Sequence, residues 1–226
     1  MFLTPLLVVL ALTAIIPVVF TLWLSVTTTD TNSYVDRTFS DFSQYGRAVT
    51  DPEFWNAVGV QVTFVVLTVA LQLFLGLFIA LALSRETGFA RSLRGPLLAP
   101  AVLPIVVVAL MFKFLLQSQT GAISYYLRLV GIDQAWLDNG WTALLVIVFV
   151  DVWQFTPLVA LLLMAGLHSI PKDYYEAALL DGAGPIRQLV SVTIPLLAPV
   201  LVTVGVLRLI DAVQVFPTIY ILTSGG

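Results

Sequence analysis

Five long apolar runs organise the chain: Phe2–Val26, Phe54–Ser84, Pro96–Leu116, Trp141–Leu167 and Pro195–Leu222. An α-helix needs about 20 such residues to cross the hydrocarbon core of a bilayer, and each run reaches that length. The pattern predicts an all-α polytopic membrane protein with five transmembrane helices, and residues 1–226 read as one membrane domain. The first run exceeds the roughly 7–15 apolar residues of a signal-peptide core, so it reads as a retained span. Gly76, Ala80 and Ser84 form a small-residue stripe on the second run, which also holds Gln61 and Gln72. Such spacing lets membrane helices approach closely. Pro100 and Pro104 are expected to kink the third run or shape its start, and Pro195, Pro199 and Pro217 to break the fifth.

The polar segments between the runs set the topology. Thr27–Pro52 is acidic, with Asp30, Asp36, Asp41 and Asp51 against Arg37 and Arg47. With Phe39, Phe42, Tyr45, Phe54 and Trp55 it reads as an external loop with short structure of its own and an aromatic cap at the membrane surface. Arg85, Arg91 and Arg94 against Glu86 mark the next loop as cytoplasmic. Gln117–Gly140 reads as a second external segment with a short helix near Ser124–Val130. On this topology the inner loops carry five cations (Arg85, Arg91, Arg94, Lys172, Arg187) and the outer loops three (Arg37, Arg47, Arg128). The bias places the N-terminus and residues 168–194 in the cytoplasm.

Composition narrows the chemistry. The chain is 59% hydrophobic and 10% charged, whereas a soluble domain carries about 25% charged residues. The absence of cysteine removes disulfides and thiolate nucleophiles, and His168 alone cannot form a multi-histidine metal centre. A net charge of −3 gives no sign of nucleic-acid binding. No G-x-x-x-x-G-K-[ST] motif is present to cradle nucleotide phosphates, so any energy the chain uses must come from a partner or an ion gradient.

Between the last two runs lies YYEAALLDGAGPIRQLVSVTIPLLAP, residues 174–199. Pro171 and Asp173 suit a helix start, Ala177 to Leu180 favour helix, Gly182 and Gly184 stop it, and Pro185 restarts one. Ala178 and Gly182, four apart, are expected to share a bare helix face onto which another protein can dock. Glu176-Ala177-Ala178, then Gly182, then Val192-Thr193-Ile194-Pro195 resembles the EAA loop of permease subunits in binding-protein-dependent ABC importers. Val192 and Ile194 replace the Ile and Leu of that pattern conservatively. The longer form ending in Asp181-Gly182-Ala183 resembles the carbohydrate branch, of maltose or trehalose type.

The resemblance implies a cytoplasmic coupling helix that docks into an ATPase dimer through Tyr175, Glu176, Ala177, Ala178, Asp181 and Gly182. It implies a second permease subunit, an extracytoplasmic solute-binding protein and a bacterial or archaeal plasma membrane. It implies no cofactor on this chain, with ATP bound by the partner, and a sixth span after Thr223-Ser224-Gly225-Gly226.

Charged groups at bilayer depth face cavities or partners. Lys113, Asp151, Arg208 and Asp211 are such groups. Arg208 and Asp211, three apart, can simply pair. Alternatively Asp151, Trp153, Gln154, Arg208, Asp211 and Gln214 line a path for a hydroxyl-rich solute, with Trp153 and Phe216 against a sugar ring, or they mate with the second permease. Two other functions compete. An ion-coupled transporter would use Asp151 or Asp211 as proton carrier, although no internal repeat is visible. An intramembrane hydrolase would need an acid pair from the same two residues, since His168 lies at the membrane edge.

Overall fold

The computed structural model describes residues 4–29, 37–39, 42–84 and 88–224. Expectations resting on Asp30, Asp36, Asp41, Arg85, Glu86, Gly225 and Gly226, and on the side chains of Arg37 and Arg91, lie outside what it describes. The chain divides into two compact units, Met1–Gly59 and Val60–Gly226.

The first unit opens with helix α1 (Thr4–Ser25). Strand β1 (Thr27–Thr29) pairs antiparallel with β2 (Arg37–Phe39), Thr28 opposite Thr38. Helix α2 (Ser43–Thr50) follows. Tyr45 Oη donates to Ser25 Oγ at 2.7 Å, and Trp55 Nε1 donates to the Val49 carbonyl at 2.8 Å. Among its described residues, the polar segment between the first two apolar runs therefore has short structure of its own, as expected.

The second unit is a helical bundle. Helix α3 (Pro52–Leu83) enters it, and then come α4 (Gly88–Leu97), α5 (Ala99–Val102), α6 (Ile105–Leu115), α7 (Ala122–Leu129) and α8 (Gly140–His168). The chain continues as α9 (Lys172–Leu180), α10 (Pro185–Gln188), a wider π-type turn at Leu189–Thr193, α11 (Ile194–Val213) and α12 (Phe216–Thr223). Among the described residues three helices are long and apolar enough to cross a membrane: Pro52–Leu83, Gly140–His168 and Pro185–Val213. A fourth crossing arises if Ser92–Val102 and Ile105–Leu115 count as one broken span, and the described apolar part of α1, Val9–Ser25, is shorter than the three.

Two predicted spans change shape. The run at 96–116 bends by 88° between Val102 and Ile105. Pro104 has no N–H for the preceding turn and pushes Leu103 into extended geometry, so the helix must restart. The run at 195–222 begins earlier than expected, at Pro185, and stops at Gln214–Val215 ahead of Pro217. Pro195 cannot donate to the Ser191 carbonyl, and the backbone widens just before it, with the Ile194 N–H reaching back to Leu189. Pro199 is carried inside α11 without a break.

Helix α3 buries Phe64, Thr68, Gln72, Gly76, Ala80 and Leu83, a stripe at helical spacing. At Gly76 the neighbouring helix comes close: an added Cβ would lie 2.6 Å from Val159 Cγ1 and 3.3 Å from the Ala160 nitrogen. At Gly76 the small-residue stripe is therefore a contact between α3 and α8. Gly76→Leu is expected to cost about 1–3 kcal/mol of stability by overpacking, read as a lower melting temperature in detergent. Gly59→Leu, with open space around its Cβ, serves as control and lowers nothing.

Candidate functional site

Three helices contribute to one buried polar cluster. Gln72 comes from the α3 stripe, Asp151 from α8, and Arg208 and Asp211 from successive turns of α11. Arg208 Nε donates to Gln72 Oε1 at 2.8 Å, one terminal nitrogen to Asp151 Oδ2 at 3.1 Å, and the other to Asp211 Oδ2 at 3.0 Å. Gln72 Nε2 donates to Asp151 Oδ2 at 2.8 Å and to the Asp151 carbonyl at 3.1 Å. The guanidinium also lies over the Phe155 ring, 4.2 Å from its centroid.

Arg208 is 2% exposed. A charge so placed persists only with neutralising partners. Asp151 supplies the buried counter-charge, while 60% of the Asp211 side chain remains exposed. Arg208 thus joins a hidden carboxylate to an accessible one. The local pairing of Arg208 with Asp211 is present, and it is one part of a larger network.

The other candidates do not converge there. Trp153 packs edge-on against Phe112, centroids 5.4 Å apart, and lines an apolar groove. Gln154 is buried and donates to the Leu103 carbonyl at 2.9 Å, beside the bend. Gln214 is exposed at the break between α11 and α12. Phe216 and Tyr220 stack on each other just beyond it, 5.8 Å apart, with exposed faces. Lys113 donates to the Ile221 carbonyl at 2.6 Å, near the C-terminal end of α12.

Gln72 is the member of the cluster that sequence reasoning left out. Its signal was available as an amide on the same i, i+4 stripe as Gly76 and Ala80.

On the far side of α8 the chain forms the helix–stop–helix that residues 171–188 predicted. Helix α9 ends in a Schellman turn: the Ala183 N–H reaches the Ala178 carbonyl at 2.9 Å and the Gly182 N–H the Leu179 carbonyl at 3.0 Å. Gly182 has φ +73°, a left-handed conformation that favours glycine. The expectation that Gly182 shares a helix face with Ala178 is corrected, because Gly182 lies past the helix end and turns the chain. Among the described residues Glu176 has no hydrogen-bond partner and is exposed, as are Ala177 and Asp181.

Tyr175 is half-buried, and its hydroxyl meets Thr193 Oγ1 at 3.2 Å, linking α9 to the base of α11. Gln188 Nε2 secures the turn by donating to the Ala183 carbonyl at 2.9 Å. The outward surface is unusually apolar for a polar loop, with Leu180 91% exposed and Leu179 and Ile186 largely so.

A bundle with broken helices, an intramembrane ion cluster and an extramembrane helical elbow defines a polytopic transport-type membrane protein. Residues 72–226 match the family described as "Binding-protein-dependent transport system inner membrane component", and the chain belongs to that family. It is 38% identical over 223 residues to the trehalose/maltose transport system permease protein MalF of Thermococcus litoralis, an alignment covering 98% of this chain and 75% of that one. It is 31% identical to the trehalose transport system permease protein SugA of Mycobacterium tuberculosis H37Rv, covering 93% and 67%. In fold it is similar to a chain of a bacterial ABC transporter that imports the acidic polysaccharide alginate, with TM-score 0.79, 20% identity and coverage of 98% and 77%.

Removing Arg208 leaves Asp151 as an uncompensated buried charge. Arg208→Met is expected to destabilise by about 3–5 kcal/mol, measured by thermal unfolding in detergent. Adding Asp151→Asn to Arg208→Met recovers much of the loss. Asp211→Asn costs under about 1 kcal/mol, because its carboxylate is solvent-screened.

Proposed function

We propose that this chain is the permease subunit of an ATP-driven importer for a sugar of disaccharide size, forming half of the translocation path. The observation that carries this reading is the elbow at residues 171–193. It presents Leu179, Leu180 and Ile186 outward beside Glu176 and Asp181, and its Tyr175 is tied to the root of a membrane-crossing helix. An exposed apolar cluster with a polar rim is what a protein–protein contact requires.

The partner docked there is a cytoplasmic ATPase dimer. Closure of that dimer on ATP moves α9, and the Tyr175–Thr193 link passes the motion to α11. The α11–α12 break then opens the path toward a loaded solute-binding protein outside, and hydrolysis returns the inward-facing state. A second permease subunit supplies the other half of the path. This chain hydrolyses nothing itself. Sugar as the solute is supported by the names of the relatives and by the Glu176-Ala177-Ala178 to Asp181-Gly182-Ala183 pattern.

Within the path, Asp211 and Gln214 offer exposed hydrogen-bonding groups, and Phe216 and Tyr220 offer an aromatic face for a sugar ring. Asp151, Gln72 and Arg208 hold that wall from behind. Asp151 is bonded to Arg208 and Gln72, a structural use that does not call for ion coupling.

The test is purification of the tagged chain from its own host in gentle detergent, with mass spectrometry of what accompanies it. The parent is expected to bring down an ATPase and a second permease. Leu180→Arg loses at least about tenfold of the ATPase, as expected for a central interface residue, while its melting temperature stays put. An ATPase bound equally to both, or absent from the parent, overturns the proposal.

A further inference from the structure

Arg208 and Asp211 reach the surface of the bundle unequally. The side chain of Arg208 is 3% exposed and that of Asp211 60%. Each nitrogen of the guanidinium has a partner: Nε meets Gln72, and the two terminal nitrogens meet Asp211 and Asp151. Phe155 covers its face. Asp211 gives Oδ2 to Arg208, and among the described residues its Oδ1 accepts no hydrogen bond.

A solute beside this wall therefore meets the acid and not the base. With one cation between two carboxylates, the cluster carries one negative charge in excess. Lys113, another cation at bilayer depth, donates to the Ile221 carbonyl near the end of α12.

The place of Asp211 on α11 shows what it faces. At about 100° per residue, Leu207, Asp211 and Gln214 fall within about 60° of one another on one edge. Val202, Val206, Leu209 and Val213 share another edge, hydrocarbon throughout. The bond from Arg208 to Gln72 sets this turn of α11 well inside the span of the 32-residue helix α3. A carboxylate at that depth is costly against lipid, and such groups face a cavity or a partner. Gln214 and the break follow directly, with the exposed rings of Phe216 and Tyr220 beyond. A salt bridge to a partner helix would use the acid alone. Carboxylate, amide and aromatic faces in succession suit water and a hydroxylated solute.

We propose that Asp211 sets the charge selectivity of the path. It admits neutral and cationic solutes and turns away anionic ones such as uronates and sugar phosphates. A sugar hydroxyl can donate to Oδ1, whereas a carboxylate or phosphate meets a like charge, with the guanidinium hidden behind it. The inference rests on the permease reading for the existence of the path.

The chain lacks cysteine, so Leu207→Cys and Gln214→Cys each place a lone thiol one turn from Asp211. Each variant, in its complex in native membranes, is treated with a cationic (trimethylammonium) and an anionic (sulfonate) methanethiosulfonate. These are themselves small solutes of the two charges. Modification of this chain is timed by mass spectrometry. The cationic reagent is expected to gain about tenfold over the anionic one, relative to their ratio on a free thiol. One carboxylate within about 10 Å, at an effective dielectric of about 20, supports a change of that size. Asp211→Asn in the same background returns the ratio to the free-thiol value. Thiols that neither reagent reaches set Asp211 against protein or lipid and overturn the proposal. So does a free-thiol ratio with Asp211 present, as a partner's cation would produce, and so does a ratio that Asp211→Asn leaves unchanged. Recovery of an ATPase with the parent chain scores the importer reading separately. Its absence with the thiol ratio intact removes the ATP drive and leaves the charge-selective path.

Discussion

A carbonyl or an ion at bilayer depth has no water to turn to, and much of this bundle follows from where those groups find partners. Each broken helix releases carbonyls, and a side chain from a neighbouring helix meets one at each break. Gln154 of α8 serves Leu103 at the first, and Gln61 of α3 reaches the Ala212 carbonyl at 3.3 Å at the second. Lys113 serves Ile221 near the end of α12. The unbroken helices α3 and α8 thus hold the broken ones by their exposed backbone. Arg208 is accommodated by the same rule, with an acid and an amide brought to it from two other helices.

That requirement separates rigid from adjustable parts. The contact of α3 with α8 is fixed by hydrocarbon at Gly76 and by the Gln72–Asp151 bonds. Helix α11 is seated on α8 by Leu197 and Val200 close against Gly166, and each of its ends also has a polar tie. At its start there is one hydroxyl contact to Tyr175 beside a widened turn, and at its finish one amide bond beside a break.

Much of the fold was legible. The apolar runs announced helical structure, Pro100 and Pro104 together announced a kink or a shaped start in the third run, and Gly182 with Pro185 announced the turn of the elbow, because each acts through its own backbone. Gln154 was legible only as a polar residue inside a span. Its use depends on a carbonyl 51 positions away that is free solely because the helix breaks there. The same holds for Asp151 and Arg208, 57 apart, and for Gln72 and Arg208, 136 apart.

The sequence by itself determined what is written in local chemistry: membrane insertion from hydropathy, helix starts and stops from Pro and Gly, and the spacing by which residues 174–199 resemble the EAA loop. Only the tertiary structure decided which intramembrane polar groups meet. It sent Trp153 and Gln154 to a groove and a bend, and it gathered Gln72, Asp151, Arg208 and Asp211. Helical periodicity places a residue on a face, but the face acquires its partner only when other helices pack against it, at separations along the chain that no local rule spans.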